Sequence, residues 1–534
     1  MKIHCYPLFR LVLLFAFLLS ACSNGATPPT ATLLPTSAST STPVPPPTPS
    51  PTAMPYWPTG DWRTSTPEQQ GLDSELLAQM MEQIQSKQIN LHSLIIVRHG
   101  YIVAEAYFQP YEADNRVEIY SITKSIVSAL VGIAIEQGSI DSVNHKVLDY
   151  FPDLAVANND ARQQTITLEQ LLTMSSGLQW SDDANYGEMD QSQDTVKYVL
   201  DRPMAAAPGQ VFTYNSGAPT LLTAILRKTT GKSPLEFAQV NLLGPLGISD
   251  IRWKTYQNGL QVGGFGIQMT PRDMAKFGYL YLRGGLWEGK QIVPASWVNA
   301  SLEKHIDPKM EGEKRSGYGY LWWLQTHGAI AAQGLGGQYV LLLPAQDLEV
   351  VFTAGLSPRE FQIPYDMFES YILPAIKSDT PLPANPASVA RLESLIKAAA
   401  NPEPQPVPPP PPVASIISGK TFVADPYNPI GIQAASFTFQ GDTATLKSTL
   451  SGGSRGESQI GLDGIYRINP QMIGFEAARG TWQDENTFVV YFESLSGQGT
   501  AIYTFTFSGD TVVASLTNIM FPSISASAEG HLEK

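Results

Sequence analysis

The chain has 534 residues, of which 43% are hydrophobic and 15% charged, and its formal net charge is -14. This length exceeds what one hydrophobic core normally supports, so two or more domains are expected. The mildly acidic balance, without a basic run or stripe, argues against a nucleic-acid partner. Cysteine occurs only at Cys5 and Cys22, and the histidines stand singly. Disulfide staples and cysteine- or histidine-based metal sites are therefore not expected.

The N-terminus has the pattern of an export signal. Lys2 and Arg10 flank an apolar run at residues 11–19, which is too short to span a bilayer. The run ends in the letters LSAC, which resemble the bacterial lipoprotein signal, in which cleavage leaves the cysteine as a lipidated N-terminus. We expect a signal peptide at residues 1–21, lipidation of Cys22, and attachment to the bacterial membrane facing outside the cytoplasm. The alternative is an ordinary secretory signal with a chance cysteine.

Two proline-rich segments predict the domain boundaries. Residues 22–56 are dominated by Pro, Thr and Ser, and no charged residue occurs between Arg10 and Asp61, so this segment is expected to be an extended stalk. Residues 401–414 contain five consecutive prolines and predict a stiff linker. A mixed domain is expected between them at residues 57–400, ending in a helix over residues 389–400 that packs back onto it.

The remaining residues, 415–534, predict a small all-β domain. Alternating patterns on either side of residues 440–442 and 508–510 indicate hairpins, and residues 487–492 indicate a further strand. Without a helical period, the segment is expected to form a sandwich or barrel. It contains no catalytic constellation, and the candidate partner of this domain is a ligand.

A serine and a lysine three residues apart on a helix share one face, and the amine can then remove the hydroxyl proton. This spacing occurs three times: Ser121/Lys124, Ser301/Lys304 and Ser394/Lys397. The second and third pairs are expected on solvated helix faces. Ser121 instead opens an apolar helix, residues 126–135, that stops at Gly138. The N-terminus of a buried helix favours an oxyanion, and burial disfavours a charged lysine.

The surroundings of Ser121 carry a family resemblance. A hairpin turning at His99-Gly100 precedes it, and a capped helix and turn over residues 166–178 follow it. Further motifs follow in order: PGQVFTYNSG at 208–217, GPLGI at 244–248, MTPRDMAK at 269–276 and GLGGQ at 334–338. Over residues 57–376 the chain resembles the serine β-lactamase-like hydrolases, specifically the class C β-lactamase-related and 6-aminohexanoate-dimer hydrolase-like branch. The resemblance implies an α/β (α+β) fold of the β-lactamase and penicillin-binding-protein type, with an antiparallel sheet flanked by helices and a helical subdomain.

The family's second motif is Y-x-N, whose tyrosine relays a proton between nucleophile, lysine and leaving group. Tyr256-Gln257-Asn258 matches its letters, whereas Tyr214-Asn215-Ser216 matches its surroundings. The surroundings favour Tyr214, with Ser216 in place of the usual asparagine.

The family's third motif, K-T-G or H-T-G, is absent, and the run from Gly334 to Gln338 stands in its place. Its glycines allow close backbone approach, so the resemblance implies that the Leu335 N–H pairs with the Ser121 N–H as an oxyanion hole. Gly334, Ser216 and Gln338 are the neighbouring substrate-binding candidates. Losing the motif's lysine removes a cation for a substrate carboxylate, which argues against β-lactamase activity proper.

The implied activity is hydrolysis of an ester, amide or peptide through a Ser121 acyl-enzyme, with Lys124 and Tyr214 as acid–base partners and no cofactor or metal. The alternatives are a β-lactamase or D-Ala peptidase activity, and a non-catalytic surface binding protein on the same scaffold. A rival nucleophile motif, G-x-S-x-G, occurs at residues 452–456, but it requires a strand before it, a helix after it and a parallel sheet. It lies in a polar loop of an all-β segment and is expected to be a flexible turn.

Overall fold

A computed structural model describes residues 56–157, 160–309, 314–471, 476–497 and 499–533. The expected signal peptide, the lipidated Cys22 and nearly all of the expected stalk lie outside these residues. Tyr56–Lys534 form one unit by their contacts. Within the described part of the chain, no helix is both long enough and apolar enough to cross a bilayer.

The α-helices of the described residues lie mainly in the first three quarters of the chain. In chain order they are α1 (Ser74–Ser86), α2 (Ile122–Glu136), α3 (Leu168–Leu172), α4 (Asp182–Gln191), α5 (Thr195–Leu200), α6 (Gly217–Thr230), α7 (Pro234–Ala238), α8 (Pro271–Leu282), α9 (Ala295–Leu302), α10 (Ile363–Met367), α11 (Leu373–Ala375), α12 (Pro386–Ala400) and α13 (Pro412–Ile417).

The strands fall into a first set of short and long strands and a second set of longer hairpins. The first set is β1 (Leu91–Arg98), β2 (Tyr101–Tyr107), β3 (Val117–Glu118), β4 (Arg252–Trp253), β5 (Ile267–Met269), β6 (Leu286–Trp287), β7 (Lys290–Gln291), β8 (Arg315–Tyr318), β9 (Trp323–Gln325), β10 (Ile330–Gly334), β11 (Gln338–Leu343) and β12 (Leu348–Ala354). The second set is β13 (Thr421–Ala424), β14 (Ile432–Gln440), β15 (Thr443–Leu450), β16 (Arg455–Gly461), β17 (Arg467–Ile468), β18 (Ala477–Trp482), β19 (Thr487–Glu493), β20 (Thr500–Ser508), β21 (Thr511–Asn518) and β22 (Ser525–Leu532).

The catalytic domain is built on a seven-stranded antiparallel sheet in the order β2-β1-β12-β11-β10-β9-β8. Helix α8 packs against the central strands, and α12 returns to pack against α1 and β2. This return is the predicted packing of the connector helix. The predicted hairpin is also confirmed, because His99 and Gly100 both have positive φ (51° and 76°), which suits a tight turn between twisted strands.

Helix α2 is the centre of the domain, and every residue from Ile122 to Ala134 is buried. It contacts α6 and α9 and the interior strands β10 and β11. The predicted stop after the apolar run is confirmed, since Gly138 has a φ of 70°. A helix enclosed on all sides places its N-terminus, with unpaired N–H groups, inside the domain.

The C-terminal strands form a β-barrel, which decides between the expected sandwich and barrel. Ten strands follow the order β16-β15-β14-β13-β22-β21-β20-β19-β18-β17, and a pairing of β16 with β18 closes the ring. The predicted turns at 440–442 and 508–510 are confirmed by the pairs Gln440/Thr443 and Ser508/Thr511. Phenylalanines from several strands fill a separate core. The short helix α13, which the pattern did not predict, leads into the barrel.

Candidate active site

Ser121 stands at the turn between β3 and α2. The preceding residue, Tyr120, has a φ of 48°, a left-handed conformation that is uncommon for an aromatic residue. Ser121 is the N-cap residue of α2, yet its side chain makes no capping hydrogen bond. Instead Ser121 Oγ lies 2.8 Å from Lys124 Nζ. The hydroxyl is therefore committed to the lysine rather than to the helix, which is the arrangement that a nucleophile requires.

Lys124 is only 1% exposed, which is rare for a lysine. Its Nζ donates a hydrogen bond to the Gly264 carbonyl at 2.7 Å and lies 4.8 Å from the ring centroid of Tyr214. The amine thus has one backbone acceptor, one hydroxyl and one aromatic face around it. Its two hydrogen-bond partners among the described residues, the Ser121 hydroxyl and the Gly264 carbonyl, carry no formal charge. Its contact with the Ser121 hydroxyl makes this amine the candidate acid–base partner of the serine.

Tyr214 precedes α6 and faces the lysine. Its ring stacks on Trp323, with centroids 5.8 Å apart, and this contact orients it beside the amine. The competing Tyr256 is 3% exposed, and its hydroxyl lies 2.9 Å from Thr220 Oγ1. The structure therefore brings Tyr214, Ser121 and Lys124 together and places Tyr256 in the core against helix α6.

Ser216 lies next to Gly264, the residue whose carbonyl accepts a hydrogen bond from Lys124. Ser216 Oγ donates to Asp182 Oδ2 at 2.7 Å, and its N–H donates to Asp182 Oδ1 at 3.0 Å. A Cβ added to Gly264 would lie 3.0 Å from Ser216 Cβ, so the two backbones are in close contact. Asp182 escaped the sequence reasoning because nothing in the local pattern joins residues 182 and 216.

Glu118 is a second residue that sequence reasoning missed. Its Oε1 accepts a hydrogen bond from the Gly266 N–H at 2.7 Å, two residues beyond the carbonyl that holds Lys124. Burial raises the pKa of Glu118 to about 7. The available signal was a carboxylate three positions before the nucleophile on the same chain segment. Glu118 acts on the site by fixing the segment around Gly264.

The glycine-rich run at residues 334–338 lies against the turn that precedes Ser121, here called the nucleophile turn because it carries the candidate nucleophile. A Cβ on Gly334 would lie 2.4 Å from the Ile119 carbonyl oxygen and 3.2 Å from Tyr120 Cβ, so only glycine fits there. In the described residues, no acceptor is found for the backbone N–H of Ser121 or of Leu335. Gln338 is buried, and its amide donates to the Leu335 and Ala354 carbonyls at 3.3 and 2.5 Å. Its side chain thus holds the turn that presents Leu335.

The two other serine–lysine pairs lie in different environments. Ser394 and Lys397 are exposed, as predicted. The prediction for Ser301 was wrong, because Ser301 is fully buried and donates to the Trp297 carbonyl at 2.7 Å. Helix α9 packs against α2 there, a long-range contact that the local pattern does not reveal. The G-x-S-x-G letters begin in the exposed turn between β15 and β16, as predicted, and their last two residues open β16.

A family model described as Beta-lactamase matches residues 74–364, more than half of the chain. The chain belongs to the β-lactamase family. The match spans Ser121, Lys124, Tyr214 and the glycine-rich run at residues 334–338. The predicted family and the α+β catalytic fold are therefore confirmed. Membership, together with hydrolase relatives, identifies a serine hydrolase.

Relatives of this β-lactamase-family chain include a 6-aminohexanoate-dimer hydrolase of Paenarthrobacter ureafaciens, which is 25% identical over 280 residues, or 48% of this chain and 71% of that protein. Similar solved structures include EstCE1, described as a hydrolase with promiscuous acyltransferase activity (15% identity, 56% of this chain and 99% of that one, TM-score 0.48). Another is the octameric penicillin-binding protein homologue from Pyrococcus abyssi (17% identity, 85% and 99%, TM-score 0.45).

Proposed function

We propose that the protein hydrolyses neutral esters or amides through an acyl-enzyme on Ser121. The observation that carries this proposal is the 2.8 Å approach of Lys124 Nζ to Ser121 Oγ at a buried helix N-terminus. A buried amine in contact with a hydroxyl is a proton acceptor for acyl transfer. The Tyr214 ring lies beside the same amine, 4.8 Å from Lys124 Nζ to the ring centroid, and its phenolic hydroxyl is the second group for proton transfer.

The reaction follows from these positions. Lys124 takes the Ser121 proton as Oγ attacks the substrate carbonyl, and the N–H groups of Ser121 and Leu335 stabilise the oxyanion. Tyr214 passes a proton to the leaving alcohol or amine, and the carbonyl re-forms as the acyl-enzyme. Water then attacks the acyl-enzyme, with the same side chains accepting its proton. The Gly264 carbonyl holds the Lys124 amine throughout, and Glu118 holds the backbone around Gly264 by accepting from the Gly266 N–H.

Two features favour neutral substrates over carboxylate-bearing β-lactams. The glycine run carries no lysine at the position of the family's third motif. Gln338, the polar side chain of that run, is buried and occupied by backbone carbonyls, so it does not replace the missing cation. The relative that is named a 6-aminohexanoate-dimer hydrolase supports hydrolysis as the reaction. We expect turnover of p-nitrophenyl esters to exceed that of nitrocefin and of D-Ala peptides.

Covalent labelling tests the proposal. A fluorophosphonate is expected to add one adduct, located on the peptide that contains Ser121, because a buried amine lies 2.8 Å from the hydroxyl of this serine. Ser121→Ala should abolish the adduct. Ser394→Ala, which changes the exposed serine of another S-x-x-K pair, is the matched control and should label like the wild type. Absence of any Ser121 adduct in the folded wild type would leave the scaffold as a non-catalytic binding protein.

We also propose that the hydrolase is held at the outer face of a bacterial membrane through lipidated Cys22. The apolar run, the LSAC letters and the uncharged stalk support this. Cys22→Ala is expected to move the protein from the membrane pellet to the soluble fraction when it is expressed in a bacterial host. Cys5→Ala, which changes the other cysteine, should leave it in the pellet. Retention of the Cys22→Ala protein in the pellet would refute the anchor.

A further inference from the structure

The β-barrel contacts the residue next to the nucleophile. The Tyr120 hydroxyl donates a hydrogen bond to the Gly497 carbonyl in the β19–β20 connection at 2.9 Å. The Glu118 N–H donates to the neighbouring Ser496 carbonyl at 2.8 Å. Burial raises the pKa of Tyr120, so its hydroxyl stays protonated as a donor. The turn that positions Ser121 is therefore tied to the barrel on both sides of Ile119.

A second barrel segment contacts the glycine-rich run at residues 334–338. Met520, in the connection between β21 and β22, is 1% exposed. A Cβ added to Gly336 would lie 2.4 Å from Met520 Cε, and one added to Gly499 would lie 2.7 Å from its Sδ. The methionine thus fills a notch between the two glycines. The β19–β20 connection thus contacts the nucleophile turn, and the β21–β22 connection contacts the turn that carries Leu335.

Phe521 follows this methionine and remains partly exposed. Its ring centroid lies 6.5 Å from that of Tyr120, the residue before the nucleophile. Leu335, beside Gly336, is 36% exposed. Phe521 of the barrel and Leu335 of the catalytic domain thus form partly exposed apolar surface near the nucleophile turn, and a bound substrate can cover this surface.

We infer that the barrel forms one wall of the substrate pocket, and that Phe521 contacts the apolar part of a neutral ester or amide bound at Ser121. This rests on the proposed function of Ser121. Met520 and the Gly497 carbonyl hold the wall against the catalytic domain, and Phe521 gives it its preference for apolar groups. The barrel is therefore a specificity element of the hydrolase, and its ligand is the substrate itself.

The wall can be measured separately from catalysis with two fluorophosphonates that react identically but carry a methyl or an octyl chain. The quantity to compare is the ratio of the octyl to the methyl labelling rate constant at Ser121, in the full chain. Phe521→Ala is expected to lower this ratio about tenfold, because the octyl chain loses an apolar contact that the methyl probe does not make. Phe521→Leu, which retains an apolar side chain, should restore most of it.

Tyr427→Ala is the matched control, since it removes an aromatic ring from the barrel at a position that is 95% exposed. It should leave the ratio unchanged. If the ratio in Phe521→Ala stays within twofold of the wild-type ratio, or rises, the inference that the barrel forms a pocket wall is wrong, while the proposed function stands. Failure of both probes to label the wild type overturns the proposed function and, with it, this inference.

Discussion

Replacing Lys124 with methionine is expected to lower kcat/KM for p-nitrophenyl butyrate by about 10³- to 10⁴-fold. The amine lies 2.8 Å from Ser121 Oγ and is almost completely buried, so neither solvent nor another described side chain at this distance can take its role. Methionine is close to lysine in length and volume and fits an apolar interior, so the fold should persist. The measurement is steady-state hydrolysis together with thermal unfolding.

Lys304→Met is the control for this substitution. It changes the lysine of another S-x-x-K pair, whose Nζ pairs with Asp307 at the surface, 3.1 Å away. Activity and unfolding temperature should both stay near those of the wild type. If Lys124→Met retained more than a tenth of wild-type kcat/KM while remaining folded, Lys124 would not be the proton acceptor.

Local patterns predicted those features that depend on neighbouring residues. The hairpin at His99-Gly100 follows from the backbone freedom of its turn, and the burial of α2 follows from its continuous apolar sequence. The turns of the barrel strands are of the same kind. Each depends on residues only a few positions apart, so its physical cause is present in the local sequence.

Contacts between distant segments could not be predicted in this way. Tyr120 and Gly497 are separated by 377 positions, and no composition or period marks them as partners. The burial of Ser301 depends on how α9 packs against α2, and the bond from Ser216 to Asp182 depends on the helical subdomain. Choosing Tyr214 over Tyr256 relied on family surroundings, and the geometry supplies the physical reason, which is the contact of the Tyr214 ring with the lysine amine.

Gly334→Ala is expected to reduce kcat/KM by about 10²- to 10³-fold, the loss typical of removing one oxyanion donor. The added Cβ would lie 2.4 Å from the Ile119 carbonyl oxygen, a backbone atom that cannot rotate away. Either the end of β10 or the turn at Ile119-Tyr120 must therefore shift. A shift of either separates the Leu335 N–H from the Ser121 N–H, so that the two can no longer bind one oxygen atom. The measurement is steady-state kinetics on a p-nitrophenyl ester.

The matched substitution is Gly187→Ala on α4, where an added Cβ meets no atom within 4 Å. Alanine also suits a helix better than glycine, so this variant should keep wild-type activity and gain slightly in unfolding temperature. Thermal unfolding of both variants separates a misplaced oxyanion hole from a lost fold, because Gly334→Ala should stay folded at the assay temperature. If folded Gly334→Ala hydrolysed the ester within threefold of the wild-type rate, groups other than the Leu335 N–H would have to stabilise the oxyanion.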